Sequence, residues 1–241
     1  MILIFGLTPR CGSTSVVQAI NASTRFHLIT EPFNPRAVGW VPKLFEEAES
    51  QEEMLEKIVS LGMDGIKHLE YQVDRELNEK IINSASKKIL IYRSNQLEVC
   101  SSQWMSESYQ KEFGKGVWHP RAIARENVTD FFTWTRPPLP AHRLNHQIKK
   151  FKSLCDHYGR IFSAKDTLII RYEDFFRPNM FSISKLCDYL ECELLNEEWK
   201  RIFSPKNKFN KSSIKDKLIP NMETYRQTEE RFIFNPVWRN F

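Results

Sequence analysis

The clearest pattern along the chain is a series of short, uninterrupted apolar runs. Each run is rich in β-branched or large apolar side chains and lacks the alternation expected of a strand with one face in water. Runs of this kind are typical of strands that are buried on both faces, as in a parallel sheet. They predict strands at residues 2–7, 26–30, 65–69, 89–93 and 167–172.

Helical periodicity fills the intervals between these runs. It predicts helices at residues 14–22, 52–61, 75–84, 97–110, 142–162 and 182–190. This alternation predicts an α/β fold of three layers, with a mainly parallel central sheet flanked by helices on both faces. In such sheets, ligands bind at the carboxyl ends of the strands. Segments rich in proline, glycine or lysine predict loops at residues 31–43, 113–140 and 204–220.

The composition is that of a folded globule of moderate size. The chain has 241 residues, of which 41% are hydrophobic and 12% aromatic. This length predicts a single domain that spans residues 1–241. The net charge of +5 suits a small polyanionic ligand as well as it suits nucleic acid.

The cysteines and the N-terminus bear on the compartment. Five cysteines are scattered without a CxxC pair, which favours neither a zinc site nor a disulfide framework and predicts reduced thiols. No stretch approaches the roughly 18 apolar residues of a membrane span. The first apolar run is too short for a signal peptide and lacks a charged leader. We therefore expect a cytoplasmic protein without a membrane anchor.

The first candidate for chemistry is the loop Thr8-Pro9-Arg10-Cys11-Gly12-Ser13-Thr14-Ser15, which joins the first strand to the first helix. A strand, a tight turn and a helix start point backbone N–H groups and the helix dipole at one place, which predicts an anion site. The loop differs from the P-loop pattern GxxxxGK[ST]. Gly6 and Gly12 are one residue too far apart, and Ser13 stands where that pattern has lysine.

Two further candidates follow predicted strands. Arg93 closes the fourth strand, and Asn95 and Glu98 have the spacing of a capping box, which predicts a helix start there. Ser101 then lies about two turns into that helix. Glu31 follows the second strand, so it lies at the carboxyl edge of the sheet, where a positioned carboxylate is able to take a proton from a hydroxyl group.

These features together resemble the sulfotransferases that use 3′-phosphoadenylyl sulfate (PAPS). The resemblance rests on the Pro-Arg-x-Gly-Ser-Thr loop, on a strand-end Arg93 with a serine eight residues later, and on the dipeptide Glu31-Pro32. It covers residues 1–35 and 88–105 and extends to residues 167–175. It is nearest to the bacterial and carbohydrate branches and to the tyrosylprotein branch.

The resemblance implies a P-loop NTPase-like fold and a role for each matching residue. Glu31 is the general base. Arg10 either neutralises ligand charge as a loop cation or stabilises the charge on the sulfuryl oxygens and on the leaving phosphate, which is the role that the resemblance implies. Arg93 and Ser101 hold the 3′-phosphate. The residues implied to bind the 5′-phosphosulfate are Arg10, Cys11, Gly12, Ser13, Thr14 and Ser15, mainly through their backbone amides.

Further candidates lie in β-strand and loop positions, and most of them have two interpretations. Lys67 lies in a Gly-x-Lys strand similar to one in the bacterial carbohydrate enzymes, which implies contact with the sulfuryl group. His68 is either a base or a structural histidine, and Tyr172 either packs near the adenine or belongs to the core. A late basic loop either closes over the nucleotide or is simply solvated, and its candidates are Lys208, Lys211 and Ser212.

The resemblance thus implies transfer of a sulfuryl group from PAPS to a hydroxyl of a carbohydrate or other small acceptor. The product is adenosine 3′,5′-bisphosphate (PAP), and no metal is required. One alternative is a P-loop-type kinase, which the missing lysine and the arginine at position 93 disfavour. Another is a basic nucleic-acid-binding module, but the basic residues form no single stripe. The acceptor and the oligomeric state are not readable from the sequence.

Overall fold

A computed structural model describes residues 1–34, 47–113, 137–162, 166–176, 183–203 and 219–236. These residues form two compact units. The first contains the described residues of 1–93 and 158–203, and the second contains those of 94–157 and 219–236. The single domain expected from the sequence stays a prediction.

The first unit is built on a parallel sheet. Within the described residues, its strands are β1 (Ile2–Gly6), β2 (Leu28–Thr30), β3 (Gly65–Leu69), β4 (Lys87–Tyr92) and β5 (Thr167–Arg171). Their order is β2-β3-β1-β4-β5, and every neighbouring pair is parallel. The α/β class and the five predicted strands are confirmed, with ends that differ by one or two residues. The P-loop NTPase-like fold stays a prediction.

The described helices include all six that the sequence predicts. Their bounds are α1 (Ser13–Ser23), α2 (Gln51–Ser60), α3 (Arg75–Ser84), α4 (Gln96–Phe113), α5 (Ala141–Ile161) and α6 (Ile183–Leu190). Two short helices, α7 (Glu198–Phe203) and α8 (Met222–Arg226), were not predicted, because five or six residues are too few to show a period of 3.6. Short 3₁₀ helices lie at Glu70–Gln72, Tyr172–Phe176 and Glu229–Phe232.

Alternating residues of β1 bury both faces of the sheet. Ile2 and Ile4 belong to a cluster with residues of α1 and α6, including Val16 and Leu186. Phe5 projects to the opposite face, where its ring centre lies 5.1 Å from that of Tyr158 and 5.3 Å from that of Phe162. This burial on both sides explains the uninterrupted apolar run of β1.

The second unit has a core of its own. It is formed by apolar residues of α4, α5 and α8 and their neighbours, including Leu97, Leu144 and Met222. The predicted start of α4 is confirmed, because the side chain of Asn95 accepts a hydrogen bond from the Glu98 amide at 3.1 Å. None of the helices in the described ranges is long and apolar enough to cross a membrane.

Gly65 provides a test of the strand register. It pairs with Ile2, and a Cβ atom at residue 65 would lie 2.1 Å from the Ile2 carbonyl oxygen. Because a backbone oxygen cannot rotate away, we expect Gly65→Ala to lower the free energy of unfolding by about 3 kcal/mol, as for a severe overpacking. Urea denaturation measures this change.

Gly62→Ala is the matched control. Gly62 has φ 63°, but a Cβ atom there would meet nothing within 4 Å. Only the left-handed backbone opposes that substitution, at a cost of about 1 kcal/mol. An equal loss in the two variants would contradict the close approach of β1 to β3.

Candidate functional site

The loop between β1 and α1 forms the first part of the candidate site. It turns through two residues with left-handed backbone angles, Arg10 (φ 65°) and Gly12 (φ 88°). Gly12 caps α1 without a side-chain hydrogen bond, and the first amides of a helix have no acceptor within it. The Ser15 amide already donates to the Gly12 carbonyl at 3.0 Å. The Ser13 amide interacts with the Cys11 thiol, so the Thr14 amide is the better placed of the two to bind an anion.

Three residues predicted to bind the nucleotide lie together at the carboxyl ends of β1, β4 and β5. A Cβ atom on Gly12 would lie 2.4 Å from Cδ2 of Tyr172, which directly follows β5. Arg93 directly follows β4, and its guanidinium carbon lies 4.4 Å from the centre of the same ring, within the range of a cation–π interaction. Glycine at position 12 is thus required both by its backbone angle and by the tyrosine beside it.

A buried ion pair lies at the same edge of the sheet, on the side of β2 and β3. Lys67 is part of β3, and only 1% of its surface is exposed. Its Nζ donates one hydrogen bond to Oε1 of Glu31, which directly follows β2. It donates a second to Oγ1 of Thr14 at 2.9 Å. One ammonium group therefore connects β3, the end of β2 and the first turn of α1.

The carboxylate of Glu31 is held in place by several donors. Besides Lys67, Oε2 accepts hydrogen bonds from Nδ2 of Asn34 at 2.7 Å and from Nε2 of Gln72 at 2.8 Å. Burial pushes the pKa of Glu31 upward, but the Lys67 charge and these hydrogen bonds outweigh it and leave the pKa below its usual value. The group is therefore ionised at neutral pH and fixed in orientation.

Arg10 adds a second cation near this carboxylate. Burial lowers the pKa of its guanidinium, and the nearby Tyr71 and Glu31 oppose that shift. Arginine stays charged at neutral pH even so. Arg10 and Lys67 thus place two cations near the Glu31 carboxylate, an arrangement that suits an anionic ligand.

His68 neighbours Lys67 in β3 but lies inside the protein. Its ring is fully buried, and burial lowers its pKa to about 4 despite a hydrogen bond to Asn78. Its Nε2 lies 2.7 Å from Oδ1 of Asn78, whose Nδ2 donates to the carbonyls of Glu70 and Val73. That oxygen must accept, so the proton is on Nε2. A neutral, buried ring favours the structural interpretation of His68 over the catalytic one.

Two other predicted residues are buried. Burial raises the pKa of the Cys11 thiol, so the loop cysteine is a small packing residue rather than a nucleophile. Ser101 is fully buried in α4, and its hydroxyl donates to the Glu98 carbonyl at 3.3 Å. Arg93 and Ser101 belong to different units, and their joint binding of a 3′-phosphate stays a prediction. Lys208, Lys211 and Ser212 lie outside the described residues.

The sequence did not reveal two residues that orient Glu31. Asn34 is three residues beyond it in a segment read only as a loop. Gln72 ends a 3₁₀ helix after β3, where its Oε1 also accepts from the Leu69 amide at 3.1 Å. The available signal was a polar amide just beyond a strand end at the edge where ligands bind.

In the part of the chain described, no group of three or more His, Cys, Asp or Glu side chains is arranged to hold a metal ion.

Replacing the buried cation tests the ion pair. We expect Lys67→Met to lower the free energy of unfolding at pH 7 by about 2 kcal/mol, because it leaves the Glu31 carboxylate largely buried without its main cation. The lowered pKa of Glu31 means that its stabilising contribution is present above the usual glutamate pKa and is lost as the pH falls through the folded-state value. The difference between wild type and variant should therefore narrow below about pH 4.

Urea denaturation at pH 7 and at about pH 3, below the usual glutamate pKa, measures both expectations. Lys80→Met is the control, because Lys80 pairs with Glu76 on the exposed surface and should change stability by less than about 0.5 kcal/mol. A loss for Lys67→Met that is the same at both pH values would show that the ion pair does not stabilise the fold.

No family model matches the chain, and no curated protein has a significant match to its sequence. A function has to be argued from the residues and the geometry at the carboxyl edge of the sheet.

Proposed function

We propose that this protein transfers the sulfuryl group of PAPS to a hydroxyl of a carbohydrate or other small acceptor and releases PAP. The observation that carries the proposal is the buried Lys67–Glu31 pair, which touches the first turn of α1 through Thr14. A proton acceptor, a cation and an anion-binding helix start thereby lie beside one another. Transfer of an anionic group to a hydroxyl needs all three.

The nucleotide is expected to bind along the ends of β1, β4 and β5. The N-terminus of α1 receives the phosphosulfate, and Arg10 adds charge from the preceding turn. Arg93, stacked on Tyr172, supplies a planar guanidinium for the 3′-phosphate, which arginine binds through paired donors. These side chains carry the charge that Mg²⁺ carries in a kinase.

Transfer is then a single in-line displacement. The acceptor oxygen attacks sulfur while Glu31 takes the proton of that hydroxyl. The bond between sulfur and the 5′-phosphate oxygen breaks, and its electron pair leaves with PAP. Arg10 and Lys67 stabilise the negative charge on the sulfuryl oxygens and on the leaving phosphate.

The ion pair also makes the basicity of Glu31 depend on whether the substrate is bound. In the ligand-free protein, Lys67 keeps the pKa of Glu31 low, which makes the carboxylate a weak base. A bound sulfuryl group competes for the Lys67 ammonium, so the pKa of Glu31 rises when the substrate is present. Glu31 is therefore a stronger base in the substrate complex than in the ligand-free protein.

Nucleotide binding is the first test. We expect calorimetry to show that PAP binds tightly without Mg²⁺, and that AMP, which lacks the 3′-phosphate, binds far more weakly. Arg93→Ala should weaken PAP binding by about 2 kcal/mol, roughly thirty-fold, because a charged phosphate loses its partner. Arg25→Ala is the control, since Arg25 is exposed and packs only over Phe26 among the contacts described.

A preference for Mg·ATP would replace this proposal with the phosphotransferase. Tight binding of RNA or DNA that is steep in salt and indifferent to PAP would replace it with the nucleic-acid module. Equal PAP binding by Arg93→Ala and the wild type would remove Arg93 from the site.

Turnover tests the base. Glu31→Gln keeps an amide oxygen for Lys67 but accepts no proton, so sulfuryl transfer from PAPS should fall by about 10²-fold or more while PAP affinity is unchanged. Transfer of labelled sulfate to a panel of hydroxylated acceptors measures this. Glu193→Gln changes an exposed carboxylate and should leave the rate unaltered; near-normal turnover in Glu31→Gln would assign the proton to another group.

A further inference from the structure

The end of α6 brings two cysteines together. The helix stops at Leu190, and Glu191 follows with a left-handed φ of 54°. The Glu191 amide donates to the Asp188 carbonyl at 3.2 Å, and the Cys192 amide donates to the Cys187 carbonyl at 3.0 Å. This pair of bonds defines a Schellman cap.

A Schellman cap places the side chains at its first and last positions in contact, and apolar residues usually fill them. Here both are cysteines. Cys187 is buried in the core of the first unit, and Cys192 packs against the same cluster while it remains partly exposed. Burial raises the pKa of Cys187 to about 12, and the neighbouring Cys192 thiol contributes to that shift. The cap hydrogen bonds and the shared apolar cluster place the two cysteines beside each other.

We propose that Cys187 and Cys192 form a reversible disulfide that closes the α6 cap. Neither cysteine is part of a disulfide in this structure. The inference does not rest on the proposed function, and it goes beyond the expectation of reduced thiols.

The oxidant is a small-molecule disulfide such as oxidised glutathione. The Cys192 thiol loses its proton to solvent, and the resulting thiolate attacks one sulfur of the oxidant, releasing one equivalent of thiolate. Cys187 then loses its proton and attacks Sγ of Cys192, releasing the second. Two protein thiols are oxidised, and one small disulfide is reduced to two thiols. Cys192 reacts first because it is the more exposed of the pair.

The disulfide would fix a cap that already connects to the sheet. Glu191 forms an ion pair with Lys87 at the start of β4. The Tyr189 hydroxyl accepts from the Lys88 amide at 2.8 Å and donates to the Asp166 carbonyl at 2.6 Å. Since the cross-link removes freedom from the unfolded chain, oxidation should raise Tm by roughly 4 °C.

A redox titration of the full chain tests the proposal. The protein is equilibrated with graded ratios of reduced to oxidised glutathione, acid-quenched, alkylated and digested with trypsin. Cleavage after Lys185 and Lys200 releases one peptide, residues 186–200, that contains both cysteines and no other. We expect this peptide to appear unalkylated and two hydrogen atoms lighter as the oxidant rises, while Cys155 stays alkylated.

Variants distinguish a disulfide that the helix cap aligns from one that forms only because the two cysteines lie close together. In Cys192→Ser, Cys187 should remain reduced, and Cys155→Ser should titrate as the wild type. Glu191→Val disfavours the left-handed turn, so it should move the midpoint about tenfold toward oxidant, whereas Glu191→Gly should leave the bond at least as easy to form. If Glu191→Val does not fold, the glycine and serine variants carry the test.

Some outcomes would overturn the inference. The proposal fails if both cysteines are alkylated at every ratio, if each carries its own glutathione, or if the bond joins two chains. If a folded Glu191→Val variant has the same redox midpoint as the wild type, the cap does not align the sulfurs.

Discussion

The Lys67 ammonium group is the constraint on which the rest of the site depends. It is buried within β3, where an uncompensated charge would cost several kcal/mol. Glu31 compensates it, and for that reason the chain must leave β2 through a residue with φ 55°, which is strained for a side chain other than glycine or asparagine. The first turn of α1 must also stand close enough for Thr14 to accept the second bond. One charge therefore fixes the relative positions of three elements.

A buried ion pair is a poor means of stabilising a fold, because well-packed apolar residues of similar size do as well. The position of this pair gives it another meaning. It lies at the carboxyl ends of parallel strands, where ligands bind, and its carboxylate is oriented by two amides that contribute nothing to the core. Perturbed charges in such places favour chemistry over packing as the explanation.

The sequence predicted the framework better than the partners. The run Ile2–Gly6 predicts a buried strand because it contains no polar side chain. Asn95 predicts a helix start because capping is a local interaction. Gln72 and Asn34 gave no such signal, since their bonds to Glu31 depend on where a loop and a 3₁₀ helix finish after folding. Glu31 was identified through resemblance, but its buried partner and lowered pKa depend on the pairing of β2 with β3, which no local pattern encodes.

Strand order explains how one edge of the sheet holds two separate groups of polar side chains. From β1 the chain passes to β2 and β3 on one side and then to β4 and β5 on the other, so the direction of winding reverses beside β1, as at the ligand sites of open α/β sheets. The Glu31–Lys67 pair lies on the first side and the Arg93–Tyr172 stack on the second, with the loop after β1 between them. In the proposed function, acceptor chemistry and nucleotide binding would therefore rest on different strands. Each can change in sequence without moving the other, provided that β1 and its loop keep their place.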